Sequence, residues 1–167
     1  EKICRSLKIE NCIRIMPNTP GQIGKGISIW FSKSNINNSV RISVEKILES
    51  LGDHIKVESE DIIDKATAIS GSGPGYIYYF MEIMQKSCRE IGIDDNLSKD
   101  LIIKTFLGST LLADTTNKEF NELKNEVISP KGTTEAGLNI MIKNNFESSV
   151  ISGIKAAYNR AKELNND

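Results

Sequence analysis

One histidine, three cysteines and four prolines in 167 residues close off several chemistries before any motif is considered. With His54 alone, no cluster of histidines can hold a metal, and a zinc site would have to be built on Cys4, Cys12 and Cys88, which form no Cys-x-x-Cys pair. An odd number of scattered cysteines argues against a disulfide framework and for reduced thiols in a reducing compartment such as the cytoplasm. A serine–histidine–acid triad would need His54, and no nucleophile-elbow pattern accompanies it. Charge of one sign is also missing: 21 basic residues balance 22 acidic ones, so no field draws the chain to nucleic acid or anionic lipid. No apolar run approaches the roughly 20 residues of a membrane helix, and the first residues do not form a signal peptide. Aromatics are few, at 6%, but an apolar share of 39% is adequate for a core.

What is present changes character along the chain. Cys12–Met16 reads as a short apolar strand, closed by the turn Pro17-Asn18-Thr19-Pro20 and followed by a flexible connector with Gly21, Gly24 and Gly26. Ile27–Ser32 is a second strand, rich in β-branched and aromatic types. Val40, Val44, Ile47, Leu48 and Leu51 predict a helix that Gly52 ends, and Ile55–Glu58 predicts a third strand. From Ser59 onward the pattern is helix upon helix. Ser59 is placed to cap a short helix through Ile62 and Ile63, and Ser70-Gly71-Ser72-Gly73-Pro74-Gly75 reads as a strong break. Further helices are predicted from Pro74 to Ile91, from Ser98 to Ala113, through Phe120–Val127, from Thr133, and through Val150–Leu164. The helix at 98–113 is apolar on more than one side, which points to burial in a bundle or a partner chain. The expected division is therefore an α/β part at 1–58 and an all-α part at 59–167.

The stretch Ser129–Gly137 carries most of the chemistry. Pro130 stops what precedes it, Gly132 allows close backbone approach, and Thr133 and Thr134 bring hydroxyls to a first helical turn whose amides lack partners. Such a turn can hold a small carboxylate on free N–H groups, with a hydroxyl beside it for a second polar atom. The same residues also make an ordinary helix cap, and both readings stand on this motif alone.

Three segments in fixed order, Arg14–Pro20, Ser70–Pro74 and Ser129–Gly137, closely resemble the pyrroline-5-carboxylate reductase family, over about residues 12–164. The resemblance implies the end of a Rossmann-type sheet followed by a helical dimerisation domain, and a homodimer with room for higher assembly. It implies NAD(P)H-dependent reduction of the C=N bond of pyrroline-5-carboxylate to give proline. Substrate contacts are implied at Glu60, Ser129, Gly132, Thr133 and Thr134, with Thr134 the catalytic residue whose hydroxyl meets the ring nitrogen. Ser70, Gly71, Ser72, Gly73 and Pro74 would wall the pocket, and Pro17, Asn18 and Thr19 would approach the nicotinamide. No metal is implied. Glu60 has a second reading as a helix N-terminal carboxylate, and Asn18 as a turn residue bonded to backbone.

Departures from the family pattern are of two kinds, a missing element and single positions. The family opens with a strand and a G-x-G-x-x-G turn for the pyrophosphate, an element this sequence does not contain. The chain is thus expected to be a C-terminal portion that binds NADP or NAD poorly and is inactive alone. Lys131 replaces a small residue of the signature, Ile128 replaces a small or hydroxyl one, and Glu126 and Asn117 differ from residues some members carry near cofactor and substrate. A non-catalytic helical dimerisation module shares part of this evidence. So does the helical domain of a β-hydroxyacid-type dehydrogenase, for which Lys104 is the best-placed lysine.

Overall fold

A computed structural model of the chain describes residues 2–9, 12–33 and 35–166. It divides into two compact units, Glu1–Tyr76 with Ser152–Asp167, and Ile77–Ile151.

The first unit holds one three-stranded sheet. β1 (Ile13–Met16) runs antiparallel to β2 (Gly26–Ser32), which runs parallel to β3 (Gly52–Lys56), in the order β1-β2-β3. Parallel neighbours need a crossover, and α2 (Asn38–Glu49) supplies it, begun by Asn37, whose Oδ1 accepts the Val40 N–H at 2.9 Å. The core forms where β2 meets the helices: Trp30, Leu48 and Ile63 are fully buried, with Ile29 and Ala68 beside them. Trp30 keeps its indole satisfied by donating to His54 Nδ1 at 3.4 Å, which places the lone histidine in the sheet. A short helix, α1 (Lys2–Leu7), precedes β1 and had no signal in the sequence pattern.

The third strand begins earlier than Ile55, at Gly52, because two glycines face each other there. Gly52 has φ +127°, and a Cβ on it would lie 2.2 Å from the Gly26 carbonyl oxygen. Only a bare backbone fits this pairing, and the weak strand propensity of Gly-Asp hides it from periodicity. The connector at Gly21–Gly26 is likewise ordered: Thr19–Ile23 is a 3-10 helix ending on Gly24, and Gly26 already belongs to β2.

α3 (Glu60–Ala66) starts after Ser59, which takes the N-cap position without a side-chain hydrogen bond. The predicted break at Ser70–Gly75 is not a break. A π-helical turn, Thr67–Gly71, leads into α4 (Gly73–Glu90), with the Ser72 N–H reaching the Thr67 carbonyl at 2.8 Å. Ser and Thr here bond back to the helix instead of interrupting it: Thr67 Oγ1 donates to the Ile63 carbonyl at 2.7 Å and Ser70 Oγ to that of Ala66 at 3.0 Å.

The second unit is helical. α5 (Asp95–Thr115) begins on Asp94, whose carboxylate accepts the Asn96 and Leu97 amides, and α6 (Phe120–Glu126) begins on a Glu119–Glu122 capping box. α7 (Thr133–Lys143) and α8 (Phe146–Asn166) follow. Phe80 packs against Phe106 and Phe146, each pair at 5.9 Å between centroids. Of α5 only Ser98 and Ile102 are buried, while Leu101, Leu107, Leu111 and Leu112 stay exposed in the single chain. Among the described residues no helix is long and apolar enough to cross a membrane.

Candidate functional site

The turn into α7 is built by one left-handed residue and an N-cap without a side chain. The Gly132 N–H closes a tight turn on the Ser129 carbonyl at 2.9 Å, which drives Lys131 to φ +60°, a left-handed conformation that glycine would adopt without cost. Gly132 is the N-cap, extended at φ −83° and ψ 172°, and has no side chain with which to cap the helix. A Cβ there would meet Ser129 Oγ at 2.2 Å and the Ser129 carbonyl at 2.9 Å. Thr133, Thr134 and Glu135 therefore open the helix with amides that no side chain caps, at the positive end of the dipole. Thr134 is half-buried, whereas Ser129 and Thr133 are exposed. The Glu135 carboxylate turns back to accept the Lys131 N–H at 2.7 Å and so leaves the first-turn amides uncovered.

Other expected site residues fall in the first unit. Asn18 bonds to backbone in the way its turn reading implies, its Oδ1 accepting the Ile27 N–H at 2.9 Å, while Pro17 and Thr19 are exposed. The fold joins this turn to Ser70–Pro74 through Met16 and Gly71: a Cβ on Gly71 would stand 2.7 Å from Met16 Cε. Pro74 is buried and Ser70, Gly71, Ser72 and Gly73 are half-buried. Glu60 is half-buried and accepts from Arg14 Nη1 at 3.1 Å. In the second unit Glu126 pairs with Lys118 at 2.5 Å.

Glu60 belongs to a polar cluster whose members Asp64 and Asn165 were not among the expected site residues. Arg14 also donates to Asp64 at 2.7 Å, and Asp64, almost fully buried, accepts from Asn165 of α8 at 3.2 Å. An open pocket beside it is lined by Glu60, Asp61, Asp64, Lys162 and Asn165. At its rim the Lys65 ammonium hydrogen-bonds Asp61 and holds that carboxyl below the usual range. Two signals were legible: an arginine inside the apolar run Ile13–Met16, and an aspartate next to Ile62 and Ile63 in a helix that must bury that face. Among the described residues no three His, Cys, Asp or Glu side chains converge as metal ligands.

A family model described as pyrroline-5-carboxylate reductase dimerisation matches residues 60–164. The chain belongs to that family. Its reductase relatives include pyrroline-5-carboxylate reductase 2 of Bacillus subtilis, 36% identical over 152 residues, covering 91% of this chain and 54% of the relative. The pyrroline-5-carboxylate reductase of Synechocystis is 32% identical over 91% of this chain and 57% of its own length. Among solved structures, the Plasmodium falciparum pyrroline carboxylate reductase with NADP bound superimposes with a TM-score of 0.87 at 34% identity, covering 92% of this chain and 62% of that one. The Coxiella burnetii reductase gives 0.84 at 35% identity, over 92% of this chain and 57% of that one. The chain thus spans about half the length of the curated reductases it matches. The three-stranded sheet followed by helices is the fold this family shares with it.

Proposed function

We infer that this chain forms the substrate-binding end of a pyrroline-5-carboxylate reductase, which reduces 1-pyrroline-5-carboxylate to L-proline with NADPH or NADH. The observation that carries the reading is the uncapped first turn of α7, where Gly132 leaves amides bare beside the Thr134 hydroxyl. A carboxylate on the Thr133 and Thr134 amides gains the dipole and two charge-assisted hydrogen bonds. A cyclic imine held by that carboxylate presents its nitrogen to Thr134, which orients it and hydrogen-bonds the amine formed. Ser129 shapes the turn.

The cofactor, when bound, supplies the hydride that adds to the imine carbon. Pro17, Asn18 and Thr19 fit its nicotinamide: Asn18 Oδ1 is committed to Ile27, which leaves the side-chain NH2 as a donor beside an exposed proline. Among the described residues no strand–glycine turn–helix is available for the pyrophosphate. Glu60 is assigned to the Arg14 pair in this reading, not to the substrate, because its carboxylate is already engaged there. The exposed leucines of α5 and the tyrosines of α4 are assigned to a homodimer interface, since this much apolar surface is costly in water. The free cysteines fit a reducing cytoplasm.

The test is an assay of a reductase of the relatives' full length that carries this chain. With 1-pyrroline-5-carboxylate it is expected to oxidise NADPH or NADH and to release proline. Folded dimers that turn over neither cofactor would leave only the association module. Turnover of 3-hydroxy acids instead would select the other dehydrogenase class.

A further inference from the structure

Cys4 and Cys12 stand apart in sequence but meet in the fold. The Cys4 thiol donates to Cys12 Sγ at 2.7 Å, and both side chains are half-buried, within reach of a small molecule. The contact has a local cause: the Ile9 N–H returns to the Cys4 carbonyl at 3.0 Å, folding the chain back at the end of α1 so that Cys12 arrives beside it. Cys88, on α4, has no sulfur partner among the described residues.

We propose that Cys4 and Cys12 form an oxidative modification site, a dithiol that hydrogen peroxide converts to an intramolecular disulfide. The Cys4 sulfur attacks one peroxide oxygen, the O–O bond breaks, and the departing hydroxide takes up a proton to leave as water. The resulting sulfenic acid is then attacked by Cys12, which loses its proton as the S–S bond forms and the second water leaves. Two electrons pass from the two sulfurs to the peroxide, which ends as two waters. Closing the bond asks for less than about 1 Å of further approach between the sulfurs. The hydrogen bond with Cys4 and burial push the Cys12 thiol up, which makes Cys12 the slower sulfur toward peroxide and so the second to act. Contact also protects the pair: a sulfenic acid touching a thiol is captured before it climbs to sulfinic acid, whereas one on Cys88 is not. The bond would fasten α1 to the start of β1, the strand that ends at Pro17-Asn18-Thr19.

The test treats the reduced chain with graded hydrogen peroxide, blocks remaining thiols with an alkylating agent, and reads intact mass and a non-reducing tryptic map. Expected is the joint loss of two alkylation sites with loss of two hydrogens, reversed by dithiothreitol. The map should link the peptide Ile3–Arg5 to the peptide Ile9–Arg14. Cys88→Ser should leave this unchanged. Cys4→Ser and Cys12→Ser should each abolish it, with the surviving thiol gaining oxygen instead. A bridge to Cys88, a bridge between two chains, or oxygen uptake at all three cysteines without a bridge overturns the proposal.

Discussion

The amide of Lys131 donates to the carboxylate of Glu135 at 2.7 Å, across a turn in which Lys131 sits at φ +60°. The pair offsets a local strain, since a lysine in the left-handed region costs about 1 kcal/mol more than a glycine would. Lys131→Gly is expected to raise the urea midpoint by an amount worth about 1 kcal/mol, with no change in the denaturant slope. Glu135→Ala should lower it by about 0.5–1 kcal/mol, because one amide loses its partner. A neutral or destabilising Lys131→Gly would mean that the lysine side chain makes a compensating contact.

Thr134→Ala, in a full-length reductase carrying this chain, should lower kcat/KM roughly ten- to a thousandfold, as loss of one positioned hydrogen bond does. Thr134→Ser keeps the hydroxyl and should retain most of the rate. Steady-state kinetics on both variants decide it: equal losses would assign the methyl group, not the oxygen, to the role.

Gly132→Ala places a carbon where Ser129 Oγ stands at 2.2 Å and the Ser129 carbonyl at 2.9 Å. The hydroxyl can rotate but the carbonyl cannot, so the turn must open and the first-turn amides shift. The variant should raise KM for the carboxylate substrate at least as much as it lowers kcat. The added carbon and Ser129 Oγ share one space, so adding Ser129→Gly should restore part of the loss. Equal, additive losses in the double variant would separate the two residues.

Much of this arrangement was legible in the chain, for identifiable reasons. Strands with β-branched or aromatic runs, such as Ile27–Ser32, and helices with clean stripes declare themselves through burial. The α7 turn was legible because Pro130, Gly132 and paired threonines have few other uses in that order. What escaped depends on pairing partners that are distant in sequence. Gly52 starts a strand only because Gly26 faces it. Asp64 lies beside Ile62 and Ile63, but its partners Arg14 and Asn165, 50 and 101 residues away in sequence, become visible only when the fold brings them to it. The glycine and serine run at 70–75 suggests a break, yet hydroxyls that bond back to carbonyls let the helix continue as a π turn.

Glu60 and Asp64 share Arg14 but should respond differently. Asp64 is 5% exposed, so Asp64→Ala leaves Arg14 with Glu60 alone and takes the acceptor from Asn165, and should cost about 2 kcal/mol. Glu60, more exposed, should cost about 1 kcal/mol as Glu60→Ala and leave KM unchanged. Chemical denaturation paired with kinetics separates the roles, and a raised KM at full stability would return Glu60 to the substrate.

Acid titration tests a different pair. Arg89 grips Asp95 in a fork, with Nε at 2.6 Å and Nη2 at 3.1 Å from the two carboxylate oxygens. That hydrogen bond and charge hold the Asp95 carboxyl below its ordinary value. A carboxyl with a depressed folded value binds its proton less readily in the folded chain than in the unfolded one. Its stabilisation is therefore complete above the unfolded value, about pH 4, and disappears as pH falls through the folded one. Asp95→Asn should then be less stable than the parent at pH 7 and converge with it below about pH 4. Both groups are exposed, so 1 M salt, where screening acts over about 3 Å, should shrink the difference at pH 7. A gap that persists unchanged at low pH, where the carboxyl is neutral, would assign the loss to the side chain's hydrogen bonding and packing and not to its charge.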